Sequence, residues 1–101
     1  IANISPSGKD EYVQIENTSH SVMNLRGWKL TSKPGDRQTF IFPDITLKVG
    51  KSVYVHSGRD AGSVKLPGIN IIWTTRYIWN NKGDVCTLKS PDGHVVDEYK
   101  Y

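Results

Sequence analysis

Hydrophobic and polar positions alternate over short stretches of this chain. The clearest stretch is residues 11–17, where Val13 and Ile15 fall on one face and polar residues fall on the other. A period of two is typical of a β-strand with one buried face. No window shows the 3.6-residue hydrophobic stripe of an amphipathic helix. The pattern therefore predicts an all-β fold.

The same alternation predicts further strands at residues 1–5, 28–32, 38–42, 52–56, 71–73, 84–89 and 94–99. Turn residues separate them, such as Pro34 and Gly35 in a predicted type II turn. We expect turns at 46–51 and 80–83, and a mobile surface loop at 57–70, the longest irregular stretch. Many short strands at regular spacing favour a β-sandwich or a barrel.

Gly27 and Trp28 stand where the strand predicted at 28–32 begins. We expect Gly27 to take a positive φ in a tight bend, because glycine has no Cβ. We expect Trp28 to bury its indole ring as a core anchor. With the inward positions of the neighbouring strands, the predicted core consists of Val13, Ile15, Leu25, Gly27, Trp28, Leu30, Val53, Val55 and Leu88.

The composition fits one folded domain over residues 1–101. Hydrophobic residues make up 37% of the chain and charged residues 23%, which argues against a disordered protein. The formal net charge of +3 comes from scattered basic residues and does not by itself indicate a nucleic-acid-binding protein. No apolar stretch approaches the roughly 20 residues of a membrane-spanning helix. Because the chain starts at Ile1 rather than Met, we expect a module excised from a larger protein.

Cys86 is the single cysteine, so an internal disulfide is excluded. It alternates with Leu88 in the strand predicted at 84–89, and we therefore expect its side chain to be buried. Burial raises the pKa of a thiol and suppresses thiolate chemistry.

The order of several short motifs resembles the lamin tail domain, an immunoglobulin-like antiparallel β-sandwich. The likeness covers nearly the whole chain. The residues that carry it are Glu11, Tyr12, Val13, Ile15, Asn17, Leu25, Gly27, Trp28, Leu30, Phe42, Pro43, Leu47, Lys48, Gly50, Val53, Trp73, Trp79, Gly83, Asp84, Leu88, Gly93, Val96 and Asp97.

The resemblance implies a non-enzymatic interaction or tethering role and places Trp73 and Trp79 near the sandwich core. The end of the chain is similar to prokaryotic members. These are accessory modules of larger envelope-associated or secreted proteins, often beside nucleases or other hydrolases, which favours an extracellular or cell-envelope location. Filament assembly is not implied, because the heptad-rich rod and the prenylation signal of nuclear lamins are absent.

Two groups of residues are candidates for binding. Arg76 and Tyr77 lie between the two tryptophans, and a cation beside an aromatic ring can stack on a base or grip a protein groove. A second group could form a basic face for phosphates or an acidic partner, and its alternative is an ordinary solvated surface. Its members are Lys29, Lys33, Arg37, Lys48 and Lys51.

No catalytic, metal or cofactor site stands out. His20, His56 and His94 are far apart, and zinc sites show tighter His or Cys spacing. The chain has neither a Gly-x-Ser-x-Gly elbow nor a glycine-rich phosphate loop. The carboxylate pairs Asp10–Glu11 and Asp97–Glu98 are adjacent in sequence, and because neighbours on a strand point to opposite faces, they are not expected to act together on one substrate.

Three hypotheses remain at this stage. The first is a monomeric interaction or anchoring module that binds a protein partner through an exposed strand edge or the 57–70 loop. The second is a nucleic-acid-binding module that uses the basic residues with Arg76 and Tyr77. The third, an enzyme in its own right, has no residue constellation behind it.

Overall fold

A computed structural model describes residues 3–5, 8–32, 38–79 and 83–100. These residues contain strands and turns but no helix. The strands are β1 (Asn3–Ser5), β2 (Glu11–Glu16), β3 (Met23–Asn24), β4 (Lys29–Ser32), β5 (Gln38–Ile41), β6 (Thr46–Leu47), β7 (Ser52–Ser57), β8 (Ile69–Thr74), β9 (Val85–Lys89) and β10 (Val95–Lys100).

The strands form two facing sheets. The first sheet has the order β1-β2-β7-β8 and the second the order β10-β9-β4-β5, while β3 and β6 form a separate pair. Every pairing is antiparallel except that of β7 with β8, which is parallel. The predicted all-β, immunoglobulin-like sandwich is confirmed, with this one parallel pair as an exception to its antiparallel character.

Two predicted irregular segments differ from the structure. Residues 46–51, expected to be a turn, begin with β6. The segment 57–70 is shorter than expected as a loop, because β7 extends to Ser57 and β8 begins at Ile69. Strands of two residues, such as β6, have no room for a periodic pattern. The predicted turn at Pro34 and Gly35, and most of that at 80–83, lie outside the described residues.

The core lies between the two sheets and combines the inward side chains of both. Its buried members include Val13, Ile15, Leu25, Leu30, Val53, Val55, Trp79 and Leu88. Phe42 and Leu47, which were not among the predicted core residues, are buried with them. The rings of Phe40 and Trp73 lie 5.7 Å apart and join β5 of one sheet to β8 of the other. Trp73 is half-buried against this cluster.

Gly27 makes the tight bend that precedes β4. Its φ is +80°, its N–H donates to the Phe42 carbonyl at 3.0 Å, and the Trp28 N–H donates to the Leu25 carbonyl at 3.0 Å. Trp28 itself is half-buried and packs against the core cluster from outside. The reason is that its ring lines an open groove of about 310 Å³ at this end of the sandwich.

Strand β7 is buried on both of its faces. Val53 and Val55 belong to the core, whereas the alternate residues Tyr54 and His56 point to the outer face of the first sheet and are also buried. The segment 58–68, which connects β7 to β8, covers them there, and Gly68 lies against the Tyr54 ring. The sheet is therefore covered on both sides at β7.

Cys86 lies in β9 and is fully buried within the core cluster. Burial raises the pKa of its thiol far above the ordinary value.

Candidate interaction surface

A buried hydrogen-bonded pair of side chains lies beneath the 58–68 segment. His56 Nδ1 is 2.8 Å from Asp10 Oδ1, and His56 Nε2 is 2.8 Å from Asn70 Oδ1. The His56 side chain is fully buried and that of Asp10 is 4% exposed. The pair joins the start of β2 to the end of β7. Asn70, near the start of β8, is connected to them through its hydrogen bond to His56.

The hydrogen bonds of Asn70 show which of its side-chain atoms faces His56. The Asn70 amide nitrogen donates to the carbonyls of Leu66 at 2.9 Å and Gly68 at 3.2 Å, so its oxygen is the atom that faces the imidazole. Both ring nitrogens of His56 therefore face oxygen atoms, one from the Asp10 carboxylate and one from the Asn70 side-chain amide.

This network fastens the segment 58–68 to the sheet. The second oxygen of Asp10 accepts the Val64 N–H at 2.9 Å, and the Asp60 N–H donates to the Lys9 carbonyl at 2.8 Å. The expected mobile loop at 57–70 is thus a packed cover with its own hydrogen bonds. Burial alone would raise the pKa of Asp10, but the Val64 N–H and His56 outweigh burial and lower that pKa below its ordinary value.

Glu11 holds a second segment, residues 75–79, from inside the fold. Its carboxylate oxygen Oε1 accepts the Ile78 N–H at 2.8 Å and the Ser57 hydroxyl at 3.0 Å. The side chain is almost completely buried. Burial raises the pKa of Glu11 despite these hydrogen bonds, and the nearby Asp84 charge adds to the increase.

These buried polar groups position loops and are not arranged for a reaction. Asp10 and Glu11 have separate partners, and both nitrogens of His56 are engaged. The Ser57 hydroxyl donates to Glu11 and is not activated by the histidine, so the nucleophile–base pair of covalent catalysis is missing here. Within the described ranges, no group of three or more His, Cys, Asp or Glu side chains could hold a metal ion.

A basic patch with one aromatic ring surrounds Gly58. The Gly58 N–H donates to the Arg76 carbonyl at 2.8 Å. A Cβ at position 58, where φ is +101°, would lie 2.7 Å from the Lys9 carbonyl oxygen and 3.2 Å from the Tyr77 ring. The side chains of Lys9, Arg59, Arg76 and Tyr77 are all exposed. We call these four residues the Gly58 patch.

The predicted binding residues are distributed over different surfaces. Arg76 and Tyr77 belong to the Gly58 patch, whereas Lys29 lies in β4 of the second sheet. Lys33 and Arg37 lie outside the described residues. Lys9 and Arg59 were not predicted, because each is a single basic residue in a turn. Asp10 and His56 were missed as a pair because 46 positions separate them.

The four edge strands differ in how well they are protected from pairing with another chain. At the β10 edge the register shifts between Val95 and Asp97, and Glu98 pairs with Lys100 at 3.4 Å. Bulges and charges of this kind discourage strand addition. The edge strand β1 has three residues and β5 has four. The edge strand β8 has six residues, none of them charged.

The β8 edge also exposes large apolar side chains. Ile69 is 38% exposed and Ile72 is 60% exposed. The register with β7 is regular from Ile69 to Ile72 and shifts only beyond it. A second groove, of about 230 Å³, begins beside Ile69 and has Leu47 in its wall. A long, uncharged and apolar edge is a template for another strand.

Comparison with known proteins identifies the family but no individual relative. A family model described as Lamin Tail Domain matches residues 1–101, the whole chain. No curated protein sequence matches it significantly. In the part of the chain that the structure describes, we find no helix with the length and apolarity needed to span a bilayer.

Asp10→Asn should destabilise the protein at neutral pH. A carboxyl group with a lowered pKa contributes stability above the unfolded-state value of about 4 and loses it as the pH falls through the folded-state pKa. Removing one partner of a buried pair costs about 3 kcal/mol. We expect a loss of this size at pH 7 that shrinks in acid, measured by urea unfolding at a series of pH values. Asp60→Asn, at an exposed position, should change stability by less than about 0.5 kcal/mol, and equal losses would contradict the role of the pair.

Glu11→Gln should have the opposite dependence on pH. A carboxyl group with a raised pKa favours folding below the unfolded-state value, and this contribution is lost as the pH rises through the folded-state pKa. The glutamine variant should therefore be more stable than the wild type at pH 7 and equal to it near pH 4. Glu11→Ala should lose about 1–3 kcal/mol, because the Ile78 N–H and the Ser57 hydroxyl lose their acceptor. Glu16→Gln, exposed on the same strand, is the control, and urea unfolding is the measurement.

Proposed function

Because the chain belongs to the lamin tail domain family, we propose that it anchors a larger protein by binding a protein partner along the free edge of β8. The lamin tail domain is a non-catalytic, immunoglobulin-like interaction module. The proposal concerns which surface of this domain binds the partner and what kind of protein contains the domain. The observation that carries the proposal is an uncharged six-residue edge strand that begins at an apolar groove.

Strand addition suits this edge for a physical reason. The outer edge of β8 has no strand beside it among the described residues, so its outward backbone groups can pair with an extended peptide. Ile71 and Trp73 pack against the core cluster and Asn70 is hydrogen-bonded to His56, and these contacts hold the strand in place. A rigid edge loses little conformational freedom when a partner strand is added.

We propose further that the module is an accessory part of an envelope-associated or secreted protein, such as a nuclease or another hydrolase. Asp10, Glu11, His56 and Ser57 are each engaged in positioning a loop and are not arranged for a reaction. Any chemistry would then belong to another part of the longer protein, while this part provides attachment.

The β8 edge can be tested with two matched isoleucine substitutions. Peptides are selected from a random library on the immobilised chain, and their affinities are measured for Ile72→Lys and Ile41→Lys. Both isoleucines are 60% exposed, in edge strands of different sheets. An edge charge opposes strand pairing, so Ile72→Lys should weaken binding about ten-fold, the effect of losing one important interface side chain. Unchanged binding by Ile72→Lys, or equal losses in the two variants, would contradict the proposal.

A second candidate function, binding of a nucleic acid, is favoured by the Gly58 patch. Three exposed basic residues and an exposed tyrosine lie on the segments that meet at Gly58, although Asp60 lies in the same turn as Arg59 and reduces the local positive charge. Cations that contact phosphates and a ring that stacks on bases are the usual elements of a single-strand binding site.

The nucleic-acid hypothesis predicts affinity for a short single-stranded DNA that falls with salt. Arg76→Glu should weaken binding and reduce the slope of log K against log salt by about one. Lys29→Glu makes the same charge change on the second sheet and should affect binding much less. Fluorescence anisotropy at several salt concentrations measures both. Undetectable binding at low salt, or equal effects of the two variants, would exclude this function.

A further inference from the structure

The groove beside the start of β8 combines an apolar wall with a basic rim. Leu47 and Ile69 line it, and Lys48 and Lys51 stand at its border. Both lysines are exposed, and neither has an ion-pair partner among the described residues. No carboxylate lines the groove. Its volume of about 230 Å³ is enough for a large aliphatic side chain, and we call it the β8 groove.

Asn17 holds the two lysines at a defined distance from β8. The Asn17 N–H donates to the Lys51 carbonyl at 3.0 Å, and the Gly50 N–H donates back to the Asn17 carbonyl at 2.9 Å. The buried Asn17 side chain donates to the Leu47 carbonyl at 2.8 Å. The Lys51 N–H closes the turn on the Lys48 carbonyl at 3.0 Å. The turn from 48 to 51 is therefore fastened to the end of β2.

We infer that the β8 edge and the β8 groove together bind an extended acidic peptide segment, with an apolar side chain in the groove and its neighbouring carboxylates at Lys48 and Lys51. This inference rests on the proposed function and adds the chemical identity of the partner. A strand that pairs with β8 runs past Ile69 and reaches the groove and the lysines in turn.

Charge complementarity selects this occupant. Two cations without an ion-pair partner among the described residues favour carboxylates, and the apolar wall gains from the burial of an aliphatic side chain. The free edge of β8 needs alternating backbone donors and acceptors, which an extended peptide supplies and a lipid or a free phosphate does not. Basic partner segments are disfavoured, because they would place like charges at Lys48 and Lys51.

The inference is tested with two defined peptides and the full chain. Both peptides begin with alternating threonine and valine followed by isoleucine. In one peptide the isoleucine is followed by two glutamates, and in the other by two lysines. Their binding is followed by NMR through the backbone amides of Ile69–Ile72. A third peptide, with the glutamate sequence N-methylated at every amide, has no backbone N–H to donate to a strand edge and should not bind.

Two pairs of exposed opposite charges should make the glutamate peptide bind about ten-fold more tightly than the lysine peptide. Lys48→Glu combined with Lys51→Glu should reverse this preference, because the substitution reverses the sign of the rim. Lys9→Glu combined with Arg59→Glu makes the same change in net charge at the Gly58 patch and should leave the preference unchanged.

The outcomes separate this inference from the proposed function. Equal shifts at β8 from both peptides would overturn the charge preference and leave strand addition at β8 intact. If neither peptide shifts these amides and library-selected peptides bind elsewhere, both are overturned. A preference for glutamate that survives reversal of Lys48 and Lys51 would place the acidic contact elsewhere and overturn the inference.

Discussion

The burial of β7 on both faces is the constraint on which the rest of this fold depends. Val53 and Val55 fill the space between the sheets, and Tyr54 and His56 fill the space beneath the connection to β8. A strand covered on both sides requires that the connection cross the sheet rather than turn back on itself. That crossing makes β8 parallel to β7 and places it at the edge of the sheet. The imidazole of His56 buried there is in turn hydrogen-bonded to the carboxylate of Asp10 and the amide oxygen of Asn70.

Much of the architecture could be predicted from local patterns, and the reason is visible in β2. Val13 and Ile15 alternate with polar residues, and the structure buries both in the core. Gly27 was expected to bend the chain with a positive φ, and it does. The family was also recognisable, because its motifs are distributed in order along nearly the whole chain. These features depend on residues that are close in sequence or on a spacing that the sequence displays directly.

The candidate site was much harder to predict, because its geometry depends on distant residues. Nothing in the sequence indicates that Asp10 faces His56, or that Lys9 lies beside Arg76, until the loops are folded. Trp28 shows the same limit in a different way. Its residue type predicted a fully buried anchor, but an open groove leaves one side of the ring accessible. Sequence patterns describe which side of a strand is apolar and contain little information about where a surface remains open.

The position of Cys86 makes the chain suitable for measuring its own opening. The thiol lies fully within the core, on a strand that has neighbours on both sides. An alkylating reagent can reach it only when the sandwich opens locally around the core, so the labelling rate reports the frequency of that fluctuation. Because the chain has no other cysteine, such a signal needs no engineered probe and comes from one position. The same burial protects the thiol from oxidation while the sandwich is closed.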